Sequence, residues 1–549
     1  FITVSGFLNG PGFEKMRAKL RRDCSDIWVI DCSPEGHQPE VATRIFQGVQ
    51  HPVCIVLAAR KKGKDRAAPA CLRVRTLPEG RREDKFTALA AISLGSDGWD
   101  EGPSAWRAPF LRSAQGAWAD FPTLESLLVY NGSGVMPGRT WVIAPDASSL
   151  AARWERLMRE EAPAEKEALF YPHEGGDRTT TRISRQGLTG HEHRSTPIAD
   201  DGKSVISPTR YAFRSWDRQW IIPDYRVLNR PNPALWDTFS ASQVFLTGLE
   251  AHSPDSGPAI TVCGSIPDLH HFKGNFGGRV YPLWRDAAAT VPNVKPALLA
   301  HLAQAYGGAV SPEAVLAYVA AVLAHPAFTA RFTDDLRQPG LRVPLTADPA
   351  LFARATALGR EVVWLHCYGE RFADPAQGRP AAPPRMPTGT GPTIPAAGAI
   401  PGAPEPLPDA MDYDPATRRL RIGRGFIENV APEVAAYEVS GRNVLRQWFS
   451  YRKRDRTRPV IGDRRRPSPL DRIQPHHWLP EYTEDLLNLL HVLGRLVALE
   501  PAQKELLEEI CAGPLLTVAA LTEAGALAAP EGAGPRRRVA PVVQDDLFG

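Results

Sequence analysis

The densest chemistry in the chain lies in two stretches where arginine alternates with aromatic residues. In GRNVLRQWFSYRKRDRTRPVIGDRRR, Gly441 to Arg466, ten arginine or lysine residues stand against two aspartates, with Trp448, Phe449 and Tyr451 between them. Cations at this density attract a polyphosphate backbone through release of its condensed counterions, and aromatic rings offer faces on which bases stack. The candidates there are Arg442, Arg446, Arg452, Lys453, Arg454 and Arg456. An earlier stretch, YAFRSWDRQWIIPDYRVLNRPNPALW, repeats the theme and adds Arg214, Arg218, Arg226 and Arg230. A guanidinium grips a phosphate or reads guanine with two donors, so both positioning and readout are open to these residues. The ordinary alternative for each is a solvated surface charge or a structural ion pair. Arginine is the prevailing cation throughout this Ala- and Pro-rich chain, which weakens any single arginine as a signal.

Other chemistries find less support. The seven cysteines, Cys24, Cys32, Cys54, Cys71, Cys263, Cys367 and Cys511, form no C-x-x-C pair, which points to reduced thiols in a cytoplasm rather than disulfides or a zinc site. His270-His271 and His476-His477 are adjacent pairs whose side chains diverge on a regular element, so they read as polar surface or core histidines, and no metal is expected. No G-x-S-x-G elbow and no Walker-type phosphate loop is present. No apolar run is long enough to span a bilayer, and no secretory signal is visible.

The elements that must carry these residues belong to several domains, because 549 residues exceed what one core can hold. Net charge is only +4, so the basic clusters are local features. Residues 1–65 read as a βαβ-like part of a doubly wound sheet. FITVSGFL ends a strand, PGFEKMRAKLRR is a helix burying Phe13, Met16 and Leu20, and DIWVIDC and VCIVLAARK are strands. Residues 66–170 read as a connecting region, ending in a helix with Leu150, Trp154 and Leu157 on one face. Residues 171–373 form a mixed α+β region of short strands and loops. It includes a helix started by Ser311, Pro312 and Glu313. Residues 374–410, rich in Pro, Ala and Gly, predict a linker or long surface loop. Residues 411–528 hold the basic cluster and C-terminal helices, one of them capped by Thr483, and 529–549 read as a disordered tail.

Some of these segments carry a family likeness. The first 60 residues resemble the later half of the catalytic domain of an N6-adenine DNA methyltransferase, through FITVSGFLNGPGFEKMRAKLRR and IFQGVQHPVCIVLAARK. The remainder is similar to the C-terminal specificity region of the single-polypeptide type ISP restriction-modification enzymes. SGVMPGRTWVIAPD, YAFRSWDRQWIIPDYRVLNRP, GGRVYPLWRD, AYVAAVLAHPAFTARFTDDL, GLRVPLTAD and WLHCYGERF carry that likeness.

The resemblance implies a prokaryotic restriction-modification or phage-defence system in which double-stranded DNA is the partner and S-adenosylmethionine the methyl donor. It implies that Phe46 stacks on a flipped adenine. The family's Asn-Pro-Pro-Tyr motif and its Gly-rich cofactor loop are not in this sequence; the single Pro-Pro pair, Pro383-Pro384, follows alanine. The expectation is therefore a C-terminal part of a longer or split enzyme, inactive alone and binding no cofactor by itself. Its missing partner would be a methyltransferase half, with or without nuclease and motor domains. The alternatives are a stand-alone DNA-specificity subunit that works with a separate methyltransferase half, and an inactive truncated remnant.

Overall fold

The computed structural model describes residues 1–34, 44–46, 49, 51–112, 116–170, 179–249, 254, 256–273, 277–337, 340–454 and 468–530. Arg456, the rest of the basic run over 455–467 and the tail from 531 lie outside these residues. The chain divides into two compact units: residues 1–120 with 250–253 and 333–340, and residues 121–249, 254–332 and 341–549.

The first unit is built on a five-stranded sheet. Its strands are β1 (Ile2–Val4), β2 (Asp26–Asp31), β3 (Val53–Ala59), β4 (Cys71–Thr76) and β5 (Asp100–Glu101), in the order β1-β3-β2-β4-β5. Alternating β-branched residues in DIWVID and VCIVLAA put Ile27, Val29, Cys54 and Val56 on one buried face with Leu72 and Val74. Only β2 and β4 pair in parallel; β1 with β3, β3 with β2 and β4 with β5 are antiparallel. Among the described residues the first unit is thus a mixed sheet with helices, in keeping with the expected α/β class. The helix Glu14–Asp23 differs from expectation. Phe13 and Leu20 pack against the core, but Met16 faces out. Arg17 and Arg21 are buried in its place, their guanidinium groups donating to carbonyls: Arg17 to Phe7 and Gly10, Arg21 to Ala108, Pro103 and Pro109. Loop carbonyls that lack strand partners need donors, and two arginines one turn apart supply them.

The second unit is a mixed α+β body with several small sheets. β6 (Gly132–Ser133), β10 (Phe245–Gly248), β11 (Ile260–Cys263) and β12 (Arg279–Pro282) form a four-stranded antiparallel sheet. β7 (Ile143–Ala144), β8 (Thr209–Arg214) and β9 (Asp217–Ile221) form a second, and β13 (Met411–Asp414), β14 (Arg419–Ile422) and β15 (Gly425–Ile427) a third. The predicted helix after Ser311 runs Pro312–Leu323, with the Ser311 hydroxyl accepting from the Ala314 amide. It is apolar on every side and wholly buried from Val315 on. Helix Pro349–His366 lies so close to it that a Cβ on Gly359 would sit 1.8 Å from the Ala317 carbonyl oxygen.

One expectation is corrected here. The C-terminal helix begins at Pro480, not at Thr483, and continues to Ala512 through Pro501. Thr483 Oγ1 instead accepts from Trp478 Nε1 at 2.8 Å. Residues 374–410, expected as a linker or long surface loop, run as an irregular segment with hydrogen bonds to the second unit. Pro380 O accepts from Trp364, Arg385 donates to Asn488, the Met386 amide donates to His491 Nδ1, and Thr393 bridges to Glu428. The segment cannot form a core of its own, but it lies as a strap on helices that supply its hydrogen-bond partners. Among the described residues no helix is long and apolar enough to cross a membrane.

Candidate nucleic-acid interface

The earlier arginine stretch folds into the β8–β9 hairpin, closed by Ser215 and Trp216, with Arg214 opposite Asp217. Trp216 adopts φ +69°, a conformation that a bulky side chain rarely takes and that tight hairpin turns demand. Three contacts hold it there. The Ser215 amide donates to His271 O at 2.7 Å, Tyr368 Oη donates to Trp216 O at 2.9 Å, and the Trp216 ring lies 4.2 Å from the His366 ring.

Around this turn the arginines have different environments. Arg218 has its guanidinium 3.8 Å above the Tyr368 ring and donates to Glu370 Oε1 at 2.6 Å; Arg218 is 20% exposed and Glu370 50%. Arg210, which was not among the sequence candidates, lies over Trp220 on the same hairpin. Arg214 donates to Asp268 Oδ1 at 2.8 Å, and Tyr211 Oη donates to the other oxygen of that carboxylate at 2.7 Å. Burial opposes the Arg214 charge, but Asp268 outweighs it and raises the pKa.

Arg226 has no exposed side-chain surface. It donates to Asp224 at 2.7 Å and to Asp201 at 2.8 Å. Burial raises the Asp201 pKa, but hydrogen bonds from Ser204 and Arg226 prevail and bring it to about 2. Arg226 therefore braces the loop between Asp201 and Asp224 and presents no donor to a ligand, contrary to its expected role. Arg230 is exposed, while its backbone pairs with Met136 in both directions.

The late cluster is sorted in the same way. Asn443 caps helix Val444–Ser450 by accepting from the Arg446 amide at 2.9 Å. Trp448 and Phe449 face the core, which corrects the reading of these rings as stacking faces. Arg452 is fully buried, 3.9 Å above the Trp448 ring and donating to Asp217 at 2.8 Å, so it too is structural. Arg442 and Lys453 are half-buried, Arg446 is exposed, and Arg454 is exposed beside Asp409. Phe46 belongs to the first unit and is 39% exposed, next to the buried Ile45.

The residues that surround the hairpin turn, Asp268, His271, His366, Tyr368 and Glu370, had no sequence signal beyond their types. They come from segments 50 to 150 residues away from the arginines, and only the fold gathers them. Among the described residues no group of His, Cys, Asp and Glu could hold a metal ion, and all seven cysteines are free thiols.

Comparison with known proteins supplies the wider context. No curated protein matches the chain. Solved structures that share its fold include DrdV in complex with DNA (TM-score 0.56, 17% identity, 94% of this chain and 50% of that one), the ATP-dependent type ISP restriction-modification enzyme LlaBIII bound to DNA (0.58, 14%, 94% and 33%), and a nuclease-deletion mutant of the type ISP enzyme LlaGI with a DNA substrate mimic (0.57, 15%, 93% and 38%). The chain thus spans from a third to a half of the length of these proteins. The sequence model described as the Type ISP C-terminal specificity domain matches residues 126–489, which include the β8–β9 hairpin and the described part of the late basic cluster, and the chain belongs to that family.

Proposed function

We propose that the chain recognises a target site in double-stranded DNA as the specificity part of a type ISP restriction-modification enzyme. The observation that carries this reading is the family match over residues 126–489, the region that holds every arginine exposed around the hairpin and the late helix. The DNA present in these three structural neighbours supports it. Arg218, Arg230, Arg446 and Arg454 are the cations available to phosphates or base edges, with Arg442 and Lys453 beside them.

In the complete enzyme the reaction would be methylation of adenine N6, with the target base flipped out of the stack and Phe46 against its face. The likeness of the first 60 residues and the exposure of Phe46 support this. S-adenosylmethionine would be the methyl donor in that reaction. No residue of this chain is assigned to the cofactor.

The test is selection of the full chain against a pool of random duplexes at two salt concentrations. Enrichment of one short motif, with affinity falling steeply as salt rises, is expected. Binding with no motif preference, or no binding, would overturn the reading.

A further inference from the structure

One exposed arginine differs from the others in how its backbone is mounted. In the run 226–231 every residue is buried except Arg230. Four hydrogen bonds fix the chain on either side of it. The Asn229 amide donates to Pro137 O at 2.9 Å, the Arg230 amide to Met136 O at 2.9 Å, the Met136 amide back to Arg230 O at 3.0 Å, and the indole of buried Trp236 to Pro231 O at 2.8 Å. The loop that supplies the first three must lie close, and glycines permit it. A Cβ on Gly138, at φ +71°, would sit 2.5 Å from Asn229 Cβ, and one on Gly134 would sit 2.4 Å from the Asp268 carbonyl.

The guanidinium held on this mount meets no acceptor and no ring among the described residues. Arg218 and Arg454, by contrast, are drawn to Glu370 and Asp409, and Arg446 stands on the solvent side of a seven-residue helix. Two residues beyond Arg230, Asn232 takes φ +47° and its Nδ2 donates to Ser133 O. A carbonyl can only accept, so the sense of that bond is fixed and Asn232 Oδ1 is left as an acceptor. The Ser133 hydroxyl, exposed next to it, can donate or accept. Donors and acceptors therefore stand side by side on two loops pinned to each other. A phosphate presents acceptors alone, and an acceptor beside it gains nothing. The major-groove edge of a G·C pair presents both, guanine O6 and N7 next to the cytosine amino group.

We propose that Arg230 is a specificity-determining residue that donates to O6 and N7 of one guanine in the target site, with Asn232 Oδ1 beside it to accept from an exocyclic amino group. The inference rests on the reading of the chain as a DNA-recognition part. Readout of this kind needs the fork of donors to be held in place, and a backbone fixed on both sides leaves only the side chain to be ordered on binding.

Selection of the full chain, and of its Arg230→Lys and Arg230→Ala variants, from a pool of random duplexes tests this. Lysine keeps the charge and loses the planar fork, so it can replace a phosphate contact but not a two-donor contact with guanine. Wild type should enrich a motif with guanine at one fixed position. Both variants should lose about 10- to 100-fold of the preference at that position, with the other positions unchanged. On the wild-type site Arg230→Lys should keep the wild-type dependence of affinity on salt. If Arg230→Lys keeps the whole motif while Arg230→Ala lowers the slope of log affinity against log salt by about one, Arg230 holds a phosphate and the proposal is overturned. If both variants keep motif and slope, the side chain is merely solvated, which also overturns it. In either case DNA recognition stands, whereas a wild type that selects no motif removes the recognition reading and this one together.

Discussion

Arg452 and Asp217, 235 residues apart in sequence, form an ion pair of 2.8 Å in which neither side chain reaches solvent. The pair ties the end of the late basic helix to the first residue of β9, so the two arginine-rich stretches of the sequence meet inside the protein, through an arginine that is enclosed and cannot touch a ligand. The Asp217 carboxylate also accepts from Gln219 at 2.7 Å, through its other oxygen.

Removing one partner of this pair leaves a buried charge uncompensated. Arg452→Ala is expected to cost about 3 to 5 kcal/mol of stability, whereas Arg446→Ala, at an exposed position, should stay within about 0.5 kcal/mol of wild type. Equilibrium denaturation measures both. Equal small effects would show that the Arg452–Asp217 pair is not closed to solvent.

The late cations that reach solvent, exposed Arg446 and half-buried Arg442 and Lys453, should act as phosphate contacts that add. A triple change of Arg442, Arg446 and Lys453 to alanine is predicted to lower the salt slope of duplex binding by roughly three units, with little change in the preferred motif. An unchanged slope would place the DNA elsewhere. A lost motif with unchanged slope would make these residues readers of bases.

Acid should unfold the second unit through its buried histidines. Burial lowers His271 and His366 to about 3 and His325 to about 4. An unfolded histidine titrates near 6.5, so between about pH 6.5 and those values the unfolded chain binds more protons than the native one. Stability is then full above about pH 6.5 and falls as the pH drops, by up to about 1.4 kcal/mol per pH unit for each ring. The melting temperature followed from pH 7 to pH 4.5 should decline, and His325→Gln should remove one ring's share. A flat profile would mean that the rings are hydrated in the native state.

Phe46 is predicted to matter only to chemistry on a flipped base. In the complete enzyme Phe46→Ala should reduce methyl transfer about 10- to 100-fold, the range of one lost base–aromatic stack, with duplex affinity and melting temperature nearly unchanged. Full activity in the variant would assign Phe46 to packing alone.

What the amino-acid sequence determined by itself is local. The Ser311-Pro312 start of a helix, the face of Leu150, Trp154 and Leu157, and the strands at Asp26–Asp31 and Val53–Ala59 all follow from caps and periodicity within a few residues, and all are present. The two arginine-rich stretches were equally visible as charge. What only the tertiary structure decided is which arginines are interior. Arg226 and Arg452 look like Arg218 and Arg446 in sequence, yet the first two are enclosed, because Asp201, Asp224 and Asp217 happen to lie where their guanidinium groups point. The same holds for the strap over 374–410, whose partners Trp364, Asn488 and His491 belong to helices elsewhere in the unit. Caps and periodicity act over a turn or two of backbone, whereas the sign of a buried charge's free energy depends on a counter-charge that chain folding alone brings within 3 Å.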